Sequence, residues 1–188
     1  LDHDVLLCTS LDGPAGLHRA NRAFLGGDSY AETVKWMDHI NADYKARGVD
    51  TKLYHVDALM TTTRDSLGRA KEIVDEYLAH GIKVIHLRPL NPMGFASQTW
   101  KKIGYTNEEF LAFYREVMAY VLEKNREGHE IQERMSAIFL TKILTDRDPN
   151  FLDLRSPCGA GIGQLAYNHD GTIFTCDEGR MVHQMGDD

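Results

Sequence analysis

Apolar and polar positions alternate along the first two thirds of the chain in two different periods. Val5-Leu6-Leu7-Cys8 to Thr9 is a short unbroken apolar run, which predicts a strand near 4–9 buried on both faces. Val34, Met37, Ile40 and Tyr44 then repeat at helical spacing, opened by Ser29-Tyr-Ala-Glu32 as a capping box and stopped by Gly48. A second strand is predicted at 52–60 (KLYHVDALM). Ile73, Val74, Tyr77 and Leu78 form a second helical cluster, ended by Gly81. KVIHL, Lys83 to Leu87, is the third strand, closed by Arg88-Pro89.

This strand–helix order reads as an α/β fold with parallel strands and helices packed outside them. All three strand exits then fall on one edge: Ser10 to Pro14, Thr61-Thr62-Thr63, and Arg88 to Gly94. Ligands of parallel α/β folds sit at that carboxyl edge. Beyond it, Thr106-Asn-Glu-Glu109 is a further capping box. It opens a helix whose stripe is Phe110, Leu111, Tyr114, Val117, Met118, Val121 and Leu122, and Glu130 to Leu144 reads as one more helix. After Pro149 the composition turns to glycine and polar residues. Leu165 to Tyr167 and Thr172 to Phe174, joined by Asn168-His-Asp-Gly171, predict a hairpin.

Composition narrows the function more than the fold. With 188 residues, 43% hydrophobic and 26% charged, the chain has the profile of a soluble globular protein. A formal charge of −7 argues against a nucleic-acid binder, and no segment has the length of a membrane span. Three cysteines, Cys8, Cys158 and Cys176, are too few for a disulfide framework, so a cytoplasmic setting is expected. The strand-like opening without methionine suggests an internal piece of a longer protein.

Three stretches could carry chemistry. Asp12-Gly13-Pro14 is either a rigid strand-to-helix turn or a place where a ligand approaches bare backbone. His18 and Arg22, one helical turn apart, are either a surface pair holding the loop or part of a site, and Arg88 is a carboxylate clamp or a lid ion pair. Cys158 and Cys176 flank the hairpin, which can bring its ends together, so the thiols either share a soft metal or cluster or pack as small buried side chains.

SLDGP followed by H-x3-R resembles the fourth-strand region of radical S-adenosylmethionine enzymes of the peptide-maturase kind, including the anaerobic sulfatase maturases. Cys158-x12-Gly171-x4-Cys176 is similar to the opening of their SPASM extension. Gly26-Gly-Asp-Ser-Tyr30, Ala58 to Thr63, Leu87 to Leu90 with Gly94-Phe-Ala96, and Asp177 to Met181 resemble the radical maturase of the His-Xaa-Ser peptide-modification system.

The resemblance implies the C-terminal half of a partial (β/α)6 TIM-like barrel: strands four to six over 1–104, a helical linker over 105–150, and the start of a SPASM domain over 151–188. It implies a 5′-deoxyadenosyl radical acting on a precursor peptide or protein, with S-adenosylmethionine (AdoMet) and 4Fe–4S clusters as cofactors. A flavodoxin or ferredoxin would donate electrons. Ser10 and the Asp12-Gly13 backbone would line the AdoMet pocket, Arg22 would hold its carboxylate, and Cys158 and Cys176 would be auxiliary-cluster ligands. Asp177 would be the catalytic acceptor of the substrate proton.

The chain departs from that pattern in lacking C-x3-C-x2-C, the G-G-E segment and the later SPASM cysteines. By itself it is expected to be inactive, and the open barrel edge at the first strand is expected to invite self-association. A peptide-binding module without iron chemistry is the alternative. A zinc site from Cys158, Cys176 and His169 or His183 is a third reading.

Overall fold

The computed structural model describes residues 7–52, 54–148 and 158–186. Within these, β1 (Cys8–Ser10), β2 (Asp57–Thr61) and β4 (Leu87–Arg88) form a sheet in the order β1-β2-β4. Both pairings are parallel, with Ser10 opposite Leu59 and Met60 opposite Leu87. The expected parallel arrangement is therefore present, although residues 4–6 of the first predicted strand lie outside the described residues.

Three elements differ from the sequence expectation. The second strand begins at Asp57, because Tyr54 and His55 form a bend before it. The third splits at His86: β3 (Val84–Ile85) pairs with β5 (Gln132–Glu133), and β4 pairs with β2. Gln132–Glu133 was expected inside the helix beginning at Glu130; instead it is a short parallel strand, and the helix α6 starts after it (Arg134–Leu144).

Helices supply the other layer. α2 (Ser29–Ala46) buries Met37 and Tyr44 on the expected face. Its cap is Asp28 rather than Ser29: the Asp28 carboxylate accepts the N–H groups of Tyr30 and Ala31 at 3.1 and 3.2 Å. A carboxylate serves the exposed donors of a first turn better than a hydroxyl does. α3 (Ala70–Ala79) buries Ile73, Val74 and Tyr77 completely. It ends where Gly81 takes φ 68°, letting Ile82 N–H reach Tyr77 O at 2.9 Å.

α5 (Asn107–Arg126) has the reciprocal cap expected from its sequence, between Thr106 and Glu109. Its buried face is Phe113, Val117, Tyr120 and Val121, so Leu111 and Leu122 remain half exposed. The stripe is turned from the one expected because Phe113 and Tyr120 join the same core cluster as Ile73, Val74 and Tyr77.

α1 (Ala15–Asn21) follows the Asp12-Gly13-Pro14 turn, as its strand-to-helix reading has it, while α4 (Phe95–Ile103) and α7 (Asp177–Gln184) were not foreseen. β6 (Ala166–Tyr167) and β7 (Ile173–Phe174) form the expected antiparallel hairpin. The chain divides into two compact units. One comprises 1–90 with 105–135 and holds the parallel strands; the other comprises 91–104 with 136–188 and holds the hairpin and α7. No described helix is long and apolar enough to cross a membrane.

Candidate functional site

The carboxyl edge of β1 and β2 is organised by one buried carboxylate. Asp12 is fully buried. Its Oδ2 accepts from Arg22 Nε at 2.8 Å, and its Oδ1 accepts from Arg22 Nη2 at 3.1 Å and from Thr61 N–H at 3.0 Å. The turn after β1 is thereby bonded to the end of α1 and the end of β2 at once. A forked guanidinium suits a carboxylate better than a point charge would. Two of the five Arg22 N–H donors face Asp12, and the side chain is 36% exposed.

His18 is not on the surface, where one reading of H-x3-R placed it. It is 1% exposed, and its Nδ1 accepts the Asp12 N–H at 3.3 Å. A ring nitrogen that accepts from a backbone donor carries no proton, so this imidazole is neutral with hydrogen on Nε2. Burial pushes the His18 pKa below its ordinary value; the Asp12 carboxylate opposes that shift in part. His18 and Arg22 thus converge on Asp12 rather than forming a pair of their own.

Gly13 has a packing reason to be glycine. Its φ is +125°, and a Cβ there would lie 2.9 Å from Ile73 Cγ1 and 3.2 Å from Leu17 Cδ2. The turn is pressed against α3, and Tyr77 OH donates to Leu11 O at 2.7 Å from the same helix. Ser10, half buried, ends β1 beside Leu59.

Thr63 belongs to the strand exit expected at this edge; Asn21 carries no signal in the sequence pattern. Thr63 Oγ1 donates to Asn21 Oδ1 at 3.0 Å, joining the end of α1 to the exit of β2. Asn21 Nδ2 and the Thr62 hydroxyl are buried with no hydrogen-bond partner among the described residues. Their unmet polar capacity lies at this edge, in the kind of orphaned buried groups that a polar ligand would satisfy. Arg88 stays exposed at the end of β4.

In the second unit, Cys158 is exposed and Cys176 partly buried. Gly161 N–H donates to Thr175 O at 2.9 Å, which brings the segment after Cys158 beside the residue before Cys176. Cys176 caps α7, its Sγ accepting the Gly179 N–H at 3.2 Å. Asp177 is the first residue of that helix and pairs with Arg180, Oδ1 to Nη2, at 3.1 Å.

Among the described residues no three of His, Cys, Asp and Glu converge as a metal-binding group. That removes the zinc reading with His169 or His183 as a complete site among them. It also means that the residues here do not make a full ligand set for a 4Fe–4S cluster, which takes four.

Solved structures share this arrangement of elements. The chain superposes on native anSMEcpe with bound AdoMet, an anaerobic sulfatase-maturating radical S-adenosylmethionine enzyme, with a TM-score of 0.66 at 18% identity over 92% of this chain and 44% of that one. The same enzyme with AdoMet and a Kp18Cys peptide gives 0.62 at 17% identity, with the same coverage. The chain has the fold of that part of the enzyme. It spans less than half the length of these structures. No protein-family profile and no curated protein matches it.

Proposed function

We propose that this chain is part of a radical S-adenosylmethionine enzyme that modifies a ribosomally made peptide or protein, with motifs most like those of the His-Xaa-Ser system maturase. One observation carries the reading: a fold shared over 92% of the chain with an AdoMet-bound enzyme, with SLDGP at the carboxyl edge of the parallel sheet. On this reading 1–104 is the later half of a partial barrel, 105–150 a helical linker and 151–188 the opening of a SPASM domain.

AdoMet, when bound, supplies one-electron chemistry for hydrogen abstraction. The residues of this chain would hold and orient it. Ser10 and the Asp12–Gly13 backbone would line the pocket, with Asn21 Nδ2 a donor lacking a partner among the described residues. The Arg22 N–H groups not facing Asp12 would meet the AdoMet carboxylate. Cys158 and Cys176 would each give one thiolate to an auxiliary cluster completed from outside this chain. Asp177, exposed beside Cys176, would take the substrate proton. The partners are a precursor peptide and a flavodoxin or ferredoxin, and the setting is cytoplasmic.

The test uses anaerobically reconstituted full-length protein with AdoMet, a reductant and the candidate peptide. Release of 5′-deoxyadenosine together with a mass change in the peptide supports the proposal. Peptide binding without AdoMet cleavage, in protein loaded with iron, would replace it with a binding module.

A further inference from the structure

We infer that His18 is the positioning residue of the β1 exit: its neutral imidazole, by accepting the Asp12 N–H, fixes the turn on which the Asp12–Arg22 pair and the adjoining ligand edge depend. AdoMet is the ligand of the binding test below, and that arm alone rests on the proposed function.

The geometry leaves little slack. Asp12 is held at three points: its N–H by His18 Nδ1, both carboxylate oxygens by Arg22, and Oδ1 also by the Thr61 N–H. With Asp12 fully buried and His18 at 1% exposure, the bond lies away from solvent, so losing the imidazole as acceptor is costly. Protonation puts a hydrogen on Nδ1, and two donors then face each other across 3.3 Å. A charged imidazole would instead seek the Asp12 carboxylate and compete with Arg22 for it.

The charged groups around the ring come from every neighbouring element. Asp12 lies in the turn, Arg19 and Arg22 at the end of α1, and Asp28 at the start of α2. Tyr30 of α2 stands edge-on to the ring, centroids 6.1 Å apart. The Tyr30 hydroxyl donates to Glu76 of α3 and lies 3.2 Å from His80 Nε2. Burial and Glu76 push Tyr30 up to about 12, so it stays neutral through the range in which His18 titrates.

The folded His18 binds its proton less readily than the unfolded chain does. Its contribution to stability is therefore complete above the ordinary histidine value of about 6.5 and declines as pH falls below it. The positioned turn is lost in the same direction, from neutral toward acid.

The experiment follows Asp12 directly. In ¹⁵N-labelled full-length wild type without ligand, the Asp12 amide resonance should shift with the same midpoint as the His18 ring carbons. An Asp12 amide that ignores His18 overturns the inference. His18→Asn retains an acceptor oxygen about where Nδ1 stands, whereas His18→Leu removes it.

By calorimetry at pH 7.5, His18→Leu should weaken AdoMet binding about tenfold. His18→Asn should stay within about threefold of wild type and lose the acid-side weakening expected of wild type. A Leu variant that binds as wild type, or an Asn variant that keeps the acid-side weakening, counts against the role. Should the Leu variant fail to fold, the wild-type titration and the Asn variant decide the matter. Wild type that binds no AdoMet while its Asp12 amide still follows His18 upholds the positioning role and overturns the AdoMet reading instead.

Discussion

The edge around Asp12 and the hairpin around Cys176 handle their polar atoms in opposite ways. At the first, a buried carboxylate is bonded to a helix end, a strand end and, through its backbone, a buried imidazole. At the second, one thiol is exposed and the other caps a helix, with Asp177 out in solvent beside it. Apolar side chains differ in the same sense. Leu11, Leu17, Ile73 and Tyr77 lie at 1% exposure or less around the first, while Ile162, Leu165, Tyr167 and Ile173 are all more than half exposed around the second. The first region is a finished framework whose chemical groups are also its structural ones. The second offers its chemical groups without depending on them.

That contrast fixes the order of mutational effects. Asp12→Ala should be the most damaging change, because it unties Thr61 and Arg22 together. Arg22 reaches solvent, which keeps the loss below that of a fully buried pair, at about 2–3 kcal/mol. Urea unfolding of full-length protein measures it, and a change under about 1 kcal/mol would mean that the carboxylate is not the organiser described.

Gly13→Ala comes next, at about 1–2 kcal/mol, from a left-handed φ and the contact with Ile73. In an Ile73→Ala background the Ile73 part of the steric cost should vanish while the Leu17 contact and the backbone part remain, so the double variant should cost less than the sum of the two. Strict additivity would remove Ile73 as the cause.

Cys176→Ala should cost only about 0.5 kcal/mol, the loss of one cap acceptor. Iron content of the full-length protein should fall in that variant while its unfolding midpoint barely moves. The reverse pattern, a clear loss of stability with iron unchanged, would make the thiol a packing group and erase the contrast.

Much of this was readable in the chain. The parallel strands, α2, α3, the capped start of α5 and the hairpin all announce themselves by period, cap or turn chemistry. β5 did not, because two residues show no alternation and Glu130-Ile-Gln-Glu133 has good helix formers around it. The break at His86 was hidden for a similar reason, since KVIHL reads as one run although its halves pair with different strands.

At the candidate site, the residue types were visible but their relations were not. Spacing placed His18 and Arg22 on one face, yet only the fold shows that both turn inward to Asp12. Asn21 and Thr63 are 42 residues apart, a pairing no local pattern reveals.

The bond from Tyr77 OH to Leu11 O joins residues 66 positions apart. A segment made near the start of this sequence is therefore closed by a helix made much later, and the chain between them must close into a loop for the bond to form. During synthesis β1 and its turn are available long before α3 arrives to hold them. Docking of α3 is thus a checkpoint in assembly: a chain stalled before Tyr77 can contain every residue of the SLDGP turn and still lack its shape.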